Sequence, residues 1–294
     1  MRRRRVAITG AGGQLGGELV RAFGEAGDEV LALVRPEFDI MRAADLERLT
    51  AWRPDVVVNS AAWTDVDACA RDPERALRIN GEAAGAVAEA AAAAGALIVQ
   101  ISTNEVFDGE LDRPYTEDDE PKPINPYGAS KLAGERAVAA ASPRHLIVRT
   151  AWLFGPGGNN FVTKILAAAQ QAHAAGEPLR VVADEWGNQT WTPSLADAIV
   201  TALSRPEVAS NALKVVHLAG DPACSRLIWA VAIVEASGRA IELQSLAHDQ
   251  FARASNPPTR AVLRTSEPSG LADLGLEWRS ATQDYVRSIL AGNL

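Results

Sequence analysis

The sequence is poor in cysteine, in aromatic residues and in long apolar runs. Cys69 and Cys224 are its only 2 cysteines, too few for the disulfide framework on which small secreted domains depend. No apolar run reaches the roughly 20 residues of a membrane-spanning helix, and no secretory signal pattern opens the chain. We therefore expect a cytoplasmic protein without a membrane partner.

Positive charge is scarce as well. The chain has 29 lysines and arginines against 37 acidic residues, which gives a net charge of −8. Because nucleic-acid binding depends on a basic surface, this balance disfavours a nucleic-acid partner. The 4 histidines are scattered without the spacing of metal ligands, so the sequence predicts no metal site.

A regular alternation of strands and helices occupies the first 150 residues. Continuous β-branched runs such as Val56-Val57-Val58 are typical of parallel strands that are covered on both faces. The alternation predicts an α/β fold with a doubly wound parallel sheet of the Rossmann type. Strands are predicted at residues 6–8, 28–34, 55–59, 96–102 and 145–150, and helices at residues 14–25, 45–50, 72–94 and 126–141.

Three glycines, Gly10, Gly13 and Gly16, follow the first predicted strand at the spacing G-x-x-G-x-x-G. Glycine permits a tight turn from strand to helix and lets the backbone approach a pyrophosphate. The helix that begins with Gln14 and Leu15 presents free amide groups and a partial positive charge to the phosphates. A strand before the turn and a helix after it are the context in which this motif binds a dinucleotide.

The residue just beyond the second predicted strand indicates which dinucleotide the chain binds. NAD enzymes usually have a carboxylate here for the ribose 2′-hydroxyl, whereas an arginine accommodates the 2′-phosphate of NADP. This chain has Arg35 at that point, so NADPH is the favoured cofactor and NADH the alternative. Asp39 and Ile40 follow closely and are candidates for contact with the adenine.

Tyr127 and Lys131 are four residues apart in a predicted helix, so their side chains share one face. A nearby ammonium lowers the pKa of a tyrosine, which can then protonate a carbonyl oxygen as a hydride arrives. Thr103 ends the preceding strand, at the edge where open α/β sheets bind ligands. It can donate a hydrogen bond to the same oxygen, and we take these three residues as the candidate catalytic group.

The second half of the chain is less regular and has more loops. We interpret residues 1–155 as a dinucleotide-binding Rossmann domain to which residues 192–220 return. Residues 156–191 and 221–294 would form a smaller, interleaved C-terminal lobe that binds substrate. In this half, helices are predicted at residues 161–175, 194–203, 225–236 and 283–290, and strands at residues 179–183, 214–218 and 241–246.

Several motifs together resemble the dTDP-4-dehydrorhamnose reductase family of extended short-chain dehydrogenase/reductases. They include TGAGGQLG at 9–16, PYGASKLAGE at 126–135 and RTAWLFG at 149–155. Further matching segments, at 54–67, 79–80, 102–109, 160–162 and 184–187, extend the resemblance over nearly the whole chain. The resemblance implies NADPH-dependent reduction of the C4 ketone of a nucleotide-linked 4-keto-6-deoxy sugar.

The same resemblance implies roles for individual residues. Thr103, Tyr127 and Lys131 would be its catalytic triad. Some members of the family bind magnesium between subunits, but this sequence itself does not support a magnesium site, and it leaves open whether the chain forms a homodimer. The implied cofactor contacts are Ala61, Ala62 and Asn80, and the implied sugar-site residues are Thr64, Val66, Trp152 and Asn160.

The sequence departs from the family pattern at two places in the expected sugar site. Glu105 replaces a tyrosine that would contact the sugar, and we hypothesise that it contacts a hydroxyl or amino group that the rhamnose precursor lacks. Near the end of the chain, Pro257-Pro258 stands where an arginine for the substrate diphosphate is common. Arg260 and Arg264 are the candidates to replace that cation.

Two other functions are compatible with these motifs. A related fold serves as a non-catalytic NADP-binding regulatory subunit, which would bind the cofactor without oxidising it. An epimerase or dehydratase of the same superfamily would retain tightly bound NAD. Cofactor turnover distinguishes the reductase from the regulatory subunit, and cofactor retained through purification distinguishes it from the epimerase or dehydratase.

Overall fold

Six parallel strands form the central sheet of the computed structural model, which describes residues 3–264 and 277–292. The predicted boundaries at residues 1 and 294, and residues 265–276 of the predicted lobe, lie outside the described residues. Counting the short strands outside this sheet, the described residues form twelve strands. They are β1 (Arg5–Thr9), β2 (Glu29–Leu33), β3 (Val56–Asn59), β4 (Leu97–Thr103), β5 (His145–Thr150), β6 (Leu153–Phe154), β7 (Leu179–Val182), β8 (Trp186–Gly187), β9 (Thr190–Trp191), β10 (Val215–His217), β11 (Cys224–Ser225) and β12 (Leu243–Leu246).

Eleven α-helical segments accompany these strands in the described part of the chain. None of them combines the length and the apolar character that crossing a bilayer requires. They are α1 (Gln14–Glu25), α2 (Ala43–Ala51), α3 (Val66–Arg71), α4 (Pro73–Ala76), α5 (Ala83–Ala93), α6 (Pro126–Ala141), α7 (Phe161–Ala175), α8 (Thr192–Leu203), α9 (Pro206–Ala209), α10 (Arg226–Ala236) and α11 (Trp278–Leu290).

The order of strands in the central sheet is β2-β1-β3-β4-β5-β10, all parallel. The chain runs from β1 to β2 on one side and then crosses to β3 on the other side of β1. This reversal creates a crevice between the carboxyl ends of β1 and β3, which is where open α/β sheets bind ligands. The predicted α/β doubly wound parallel sheet is therefore confirmed.

Alternate residues of each strand face opposite layers of helices. Val6 and Ile8 of β1 pack with α1 and α8 on one side of the sheet. Ala7, between them, faces a layer formed by α2, α5 and α6. Alanine-rich α5 lies close to α6, where a Cβ on Gly85 would be 3.0 Å from the Ala137 side chain. Small side chains thus allow the helices to approach the sheet and one another closely.

The helix predicted over residues 72–94 begins at Asp72 as expected, but it is not one continuous α-helix. Asp72 leaves the helical conformation and its side chain accepts a hydrogen bond from the Arg75 amide, which begins α4. A π-helical segment, Leu77–Glu82, then precedes α5. An aspartate before a proline favours a helix start over a helix interior, and π-helical turns are frequent at functional sites.

A second apolar core lies outside the central sheet. It contains β7, α7, α10 and α11, and the indole of Trp229 is fully buried at its centre. The ring of Trp229 stacks on Phe161 at 4.7 Å between centroids. Meanwhile α8 belongs to the core of the central sheet, and β10 pairs with β5. The chain thus leaves the sheet after β5 and returns to it with α8 and β10.

Buried polar side chains connect three neighbouring strands at the ends that form the crevice. The Thr9 hydroxyl donates to Asn59 at 2.6 Å, and the Asn59 amide donates to Gln100 at 2.7 Å. The Gln100 amide in turn donates to the Ile101 carbonyl. Because each buried group has a partner, this row adds directional bonds to the sheet without leaving a desolvated polar atom in the row.

A buried ion pair fixes α6 on the sheet. The guanidinium of Arg149 on β5 donates two hydrogen bonds to the Glu135 carboxylate, at 3.0 and 2.7 Å. The Ser102 hydroxyl of β4 donates a third, at 2.5 Å. Both charged side chains are 5% exposed, so they are mutually dependent: each would be an uncompensated buried charge without the other.

We predict that Arg149→Met lowers the free energy of unfolding by about 3–5 kcal/mol, because it leaves the Glu135 carboxylate buried without its cation. Replacing both residues, with Arg149→Met and Glu135→Leu, should cost much less, since no buried charge then remains. Urea unfolding followed by circular dichroism measures both effects. A single variant that is as stable as the double variant would contradict the prediction.

Candidate active site

A cavity of about 710 Å³ occupies the crevice between β1 and β3. Its wall combines the glycine turn after β1 with the loops that follow β2 and β3. A dinucleotide is long enough to extend along all three segments. The predicted cofactor residues that line it are Gly10, Gly13, Arg35, Asp39, Ile40, Ala61 and Ala62.

The glycine turn is shaped by two close backbone approaches. Gly10 has a φ of +67°, and a Cβ there would overlap the backbone of Ala61. A Cβ on Gly16 would overlap the Gly10 carbonyl oxygen. Helix α1 begins at Gln14 without a side-chain cap. Its first amides therefore remain available to an anion such as a pyrophosphate.

Gln14 and Leu15 form the first turn of α1, and neither lines the cavity. The Gln14 side chain donates a hydrogen bond to the Gly155 carbonyl at 2.7 Å, away from the cavity wall. The Leu15 side chain is buried in the core between α1 and the sheet. Sequence position predicted that both residues open the helix, but it could not separate backbone contacts from side-chain contacts.

Asn80 does not line the cavity, in contrast to the contact implied by the resemblance. Its side chain exchanges two hydrogen bonds with the backbone of Trp63, at 2.8 and 3.0 Å, and donates another to the Ser130 hydroxyl at 3.0 Å. It is 1% exposed. Asn80 therefore holds the cavity wall at Trp63 in place and attaches it to α6.

Two cations on the cavity wall were missed by the sequence analysis. Arg75 and Arg78 both line it, and the Arg75 guanidinium lies 4.5 Å from the centroid of the Trp63 ring. The sequence places both arginines within the helix predicted over residues 72–94, and no local pattern there indicates that they face a cavity.

The three candidate catalytic residues converge beside this cavity. Tyr127 belongs to a small apolar cluster against which Trp63 and Val66 pack. The Thr103 hydroxyl lies close enough to the Tyr127 hydroxyl to lower the pKa of Tyr127. Lys131, one turn further along α6, donates from Nζ to the Ile101 carbonyl at 2.7 Å. Asn125 caps α6 by accepting a hydrogen bond from the Gly128 amide, which fixes the first turn of the helix, where Tyr127 lies.

The electrostatics of the tyrosine differ from the prediction. Burial raises the pKa of Tyr127, the nearby Glu105 carboxyl raises it further, and the Thr103 hydroxyl only partly opposes them. Burial lowers the pKa of Lys131 to about 8, opposed by Glu135. Lys131 is not among the groups that shift the pKa of Tyr127, so the expected lowering is absent. The phenol keeps its proton at neutral pH.

A second cavity, of about 470 Å³, adjoins this group. Consecutive residues separate the two cavities, since Trp63 lines the first and Thr64 the second. The predicted sugar-site residues Thr64, Val66, Glu105 and Trp152 all line the second cavity. Two ligands, one in each cavity, would therefore meet at the wall against which Tyr127 packs.

Asn160 does not line the second cavity, unlike the other predicted sugar-site residues. It caps α7, and its carboxamide oxygen accepts from the amides of Val162 and Thr163. Its amide nitrogen donates to the Gly155 carbonyl and to the Tyr285 hydroxyl. These bonds occupy its polar atoms, and its neighbour Asn159 lines the cavity instead.

The cations of the second cavity are not those proposed from sequence. Among the described residues that line it, the positive groups are Lys164, Arg226 and Arg253, and neither Arg260 nor Arg264 is present. The Arg226 guanidinium lies 3.6 Å from the Trp152 ring centroid. Burial lowers the pKa of Arg226 to about 10, so it remains a cation at neutral pH.

No group of three or more histidine, cysteine, aspartate or glutamate side chains in the described residues could hold a metal ion. The acidic side chains at the second cavity are instead engaged with protein groups. Glu185 pairs with Arg226 at 3.6 Å and also with Arg253. Asp67 accepts from the Ser255 amide and hydroxyl at 2.8 and 2.6 Å. These contacts attach the segment around Ser255 to the rim of the cavity.

Comparison with known proteins agrees with this geometry. A family model described as the RmlD substrate binding domain matches residues 4–290. The spore coat polysaccharide biosynthesis protein SpsK of Bacillus subtilis is 36% identical, over 96% of this chain and 97% of its own. A dTDP-4-dehydrorhamnose reductase of Mycolicibacterium smegmatis is 38% identical, over 97% of this chain and 86% of its own.

A solved structure is similar over the same length. It is a dTDP-4-dehydrorhamnose reductase of Bacillus anthracis in complex with NADP, with a TM-score of 0.88 and 29% identity over 97% of this chain and 99% of that one. The match thus includes both cavities and the residues between them. The resemblance inferred from the motifs is confirmed, and the chain belongs to the RmlD substrate binding domain family, together with dTDP-4-dehydrorhamnose reductases.

Proposed function

We propose that this protein catalyses NADPH-dependent reduction of the C4 ketone of a nucleotide-linked 4-keto-6-deoxy sugar. One observation carries the proposal. The neighbouring side chains of Thr103 and Tyr127 lie beside a wall that separates the cavity at the glycine turn from a second, cation-lined cavity. A hydride donor in the first cavity and a carbonyl in the second would meet at a proton donor.

The first cavity suits NADPH. The close approach of Gly16 to Gly10 and the uncapped start of α1 suit a pyrophosphate. Arg35 lines the same cavity, and no aspartate or glutamate directly follows β2 to bind a ribose 2′-hydroxyl. When bound, NADPH supplies the hydride for the ketone carbon.

The second cavity suits a nucleotide sugar. Lys164, Arg226 and Arg253 bring positive charge to its wall, and guanidinium groups bind phosphate oxygens with charge-assisted hydrogen bonds. Trp152, held under the Arg226 guanidinium, adds an aromatic surface. The proposal assigns no role to magnesium, and formation of a homodimer stays a prediction.

The chemistry of the residues follows from their environment. Thr103 and Tyr127 hold the carbonyl oxygen between their hydroxyls, and the Tyr127 proton moves to that oxygen as the carbon receives the hydride. Because burial keeps the phenol protonated, Tyr127 is ready to act as the acid. The Lys131 ammonium would bind the nicotinamide ribose, and burial of the group excludes water from the reacting atoms.

We propose that one part of the chain binds the cofactor and the other binds the substrate, as the sequence predicts. Residues 1–155 and 192–220 would bind the cofactor, which is supported by the pairing of β10 with β5 and the packing of α8 against the sheet. Residues 156–191 and 221–294 would bind the sugar nucleotide. Their support is the separate core around Trp229 and the cavity residues Lys164, Arg226 and Arg253.

Tyr127→Phe should lower kcat by about 10²–10⁴-fold, because it removes the proton donor. Binding of NADPH should remain, since the phenol is not part of the first cavity's wall. Loss of reduced nicotinamide, followed at 340 nm with a dTDP-4-keto-6-deoxy sugar, measures the activity, and fluorescence titration measures cofactor binding.

Tyr285→Phe is the matched control, since that hydroxyl accepts a hydrogen bond from Asn160 outside the reacting group. It should retain most of the activity. Wild-type protein that binds NADPH without oxidising it would contradict the reductase and indicate a regulatory subunit. NAD that remains bound through purification would instead indicate an epimerase or dehydratase.

The value of kcat/KM should fall as the pH rises above about 8. Burial lowers the pKa of Lys131 from 10.5 to about 8, so the ammonium is present below this pH and lost above it. Lys131→Arg keeps its charge at these pH values and should lack this basic limb. If kcat/KM fell at the same pH in both proteins, the fall would have to be caused by ionisation of a group other than Lys131.

Arg35→Ala should lower kcat/KM with NADPH by about tenfold or more and change the value with NADH little, because only NADPH has a 2′-phosphate. Steady-state kinetics with both cofactors measure the ratio. Arg42→Ala is the control, since Arg42 follows the same strand but pairs with Asp45 at 2.8 Å. Equal losses with both cofactors would place Arg35 away from the 2′-phosphate.

A further inference from the structure

Glu105 is held next to both hydroxyls that would bind the carbonyl. Its amide donates to the Thr103 hydroxyl at 3.2 Å. Its carbonyl oxygen lies against Gly128 on α6, where a Cβ would overlap it. Its side chain lines the second cavity, half-buried. The carboxyl therefore lines the cavity beside the hydroxyls that would hold the ketone, where a substituent of a neighbouring ring carbon would come close to it.

The charge of this carboxyl is poorly compensated by the protein. One oxygen accepts a hydrogen bond from the neutral Asn125 amide at 2.7 Å. The two nearby guanidinium groups, Arg226 and Arg253, oppose the effect of burial on the Glu105 pKa but are both paired with Glu185. Burial accordingly raises the pKa of Glu105. A ligand cation at this point would supply the partner that the protein does not provide.

The geometry also restricts where such a cation would be attached. In a 4-keto-6-deoxyhexose, the carbons beside the ketone are C3 and C5. C5 carries the methyl group and the ring oxygen, whereas C3 carries the exchangeable substituent. A positively charged substituent at C3 is therefore the group that can meet Glu105 while Thr103 and Tyr127 hold the C4 oxygen.

We propose that Glu105 is a specificity-determining residue that selects nucleotide-linked sugars with an amino group on the ring carbon beside the ketone. This inference rests on the proposed function and deepens it by naming the substrate class. The ammonium donates to the free Glu105 oxygen, while Asn125 holds the other oxygen. No bond is formed or broken in this step.

The test compares binding of two stable ligands without a ketone, dTDP-6-deoxyglucose and dTDP-3-amino-3,6-dideoxyglucose, which differ only in the C3 substituent. Calorimetry in the presence of NADP⁺ measures each Kd. Wild-type protein should bind the amino ligand about tenfold or more tightly than the hydroxyl ligand, as expected for a charge-assisted hydrogen bond.

Three variants test whether the preference depends on the charge of the Glu105 side chain or on its shape. Glu105→Gln should abolish the preference, because it keeps an acceptor for Asn125 but loses the charge. Glu105→Asp should retain part of the preference, and Glu110→Gln, at an exposed carboxylate five residues away, should retain all of it. Thermal unfolding and NADPH binding of each variant show whether it is folded.

Equal affinity of the wild-type protein for the two ligands would overturn the inference and leave the proposed reductase intact. A preference that persists in folded Glu105→Gln would overturn it as well, because another group would then be responsible. If neither ligand binds although NADPH does, the proposed function fails, and the inference fails with it.

Discussion

The buried ion pair between Glu135 and Arg149 is the interaction on which the arrangement of the site depends. Tyr127, Lys131 and Glu135 follow one another at intervals of four residues, so all three share the face of α6 that meets the sheet. Glu135 binds Arg149 of β5 and Ser102 of β4. Because Glu135 is fixed to the sheet, the rotation of α6 and its distance from the sheet are fixed as well. These determine where the Tyr127 and Lys131 side chains lie relative to the cavities.

The loop after β3 connects the two cavities, and its position is held from α6 as well. Asn80 bonds both backbone groups of Trp63 and also the Ser130 hydroxyl. The π-helical segment around Asn80 makes this possible, because its wider turn departs from the regular helical ladder. The wall between the cofactor cavity and the substrate cavity is therefore positioned by the helix that carries Tyr127.

Burial governs the protonation states in this region more strongly than pairing does. It raises the pKa of Tyr127 and of Glu105, and it lowers that of Lys131. Each shift disfavours the charged form, as expected where side chains leave water without a close opposite charge. Glu135 and Arg149, by contrast, form a buried ion pair. The site thus combines one compensated ion pair with neutral hydroxyls at the reacting centre.

The sequence alone determined the alternating α/β pattern, the glycine turn and the pairing of Tyr127 with Lys131, because these depend on local periodicity and on spacing within one helix or turn. The extents of α1, α6 and β5 were predicted for the same reason. Only the tertiary structure decided that Asn80 and Asn160 hold backbone in place, and that Arg226 and Arg253 supply the cations of the second cavity. Those roles depend on contacts between residues far apart in the chain, such as Asn160 with Tyr285. The pKa of Tyr127 also depends on burial, which raises it where the sequence predicted a lowering, and no local pattern in the sequence records burial.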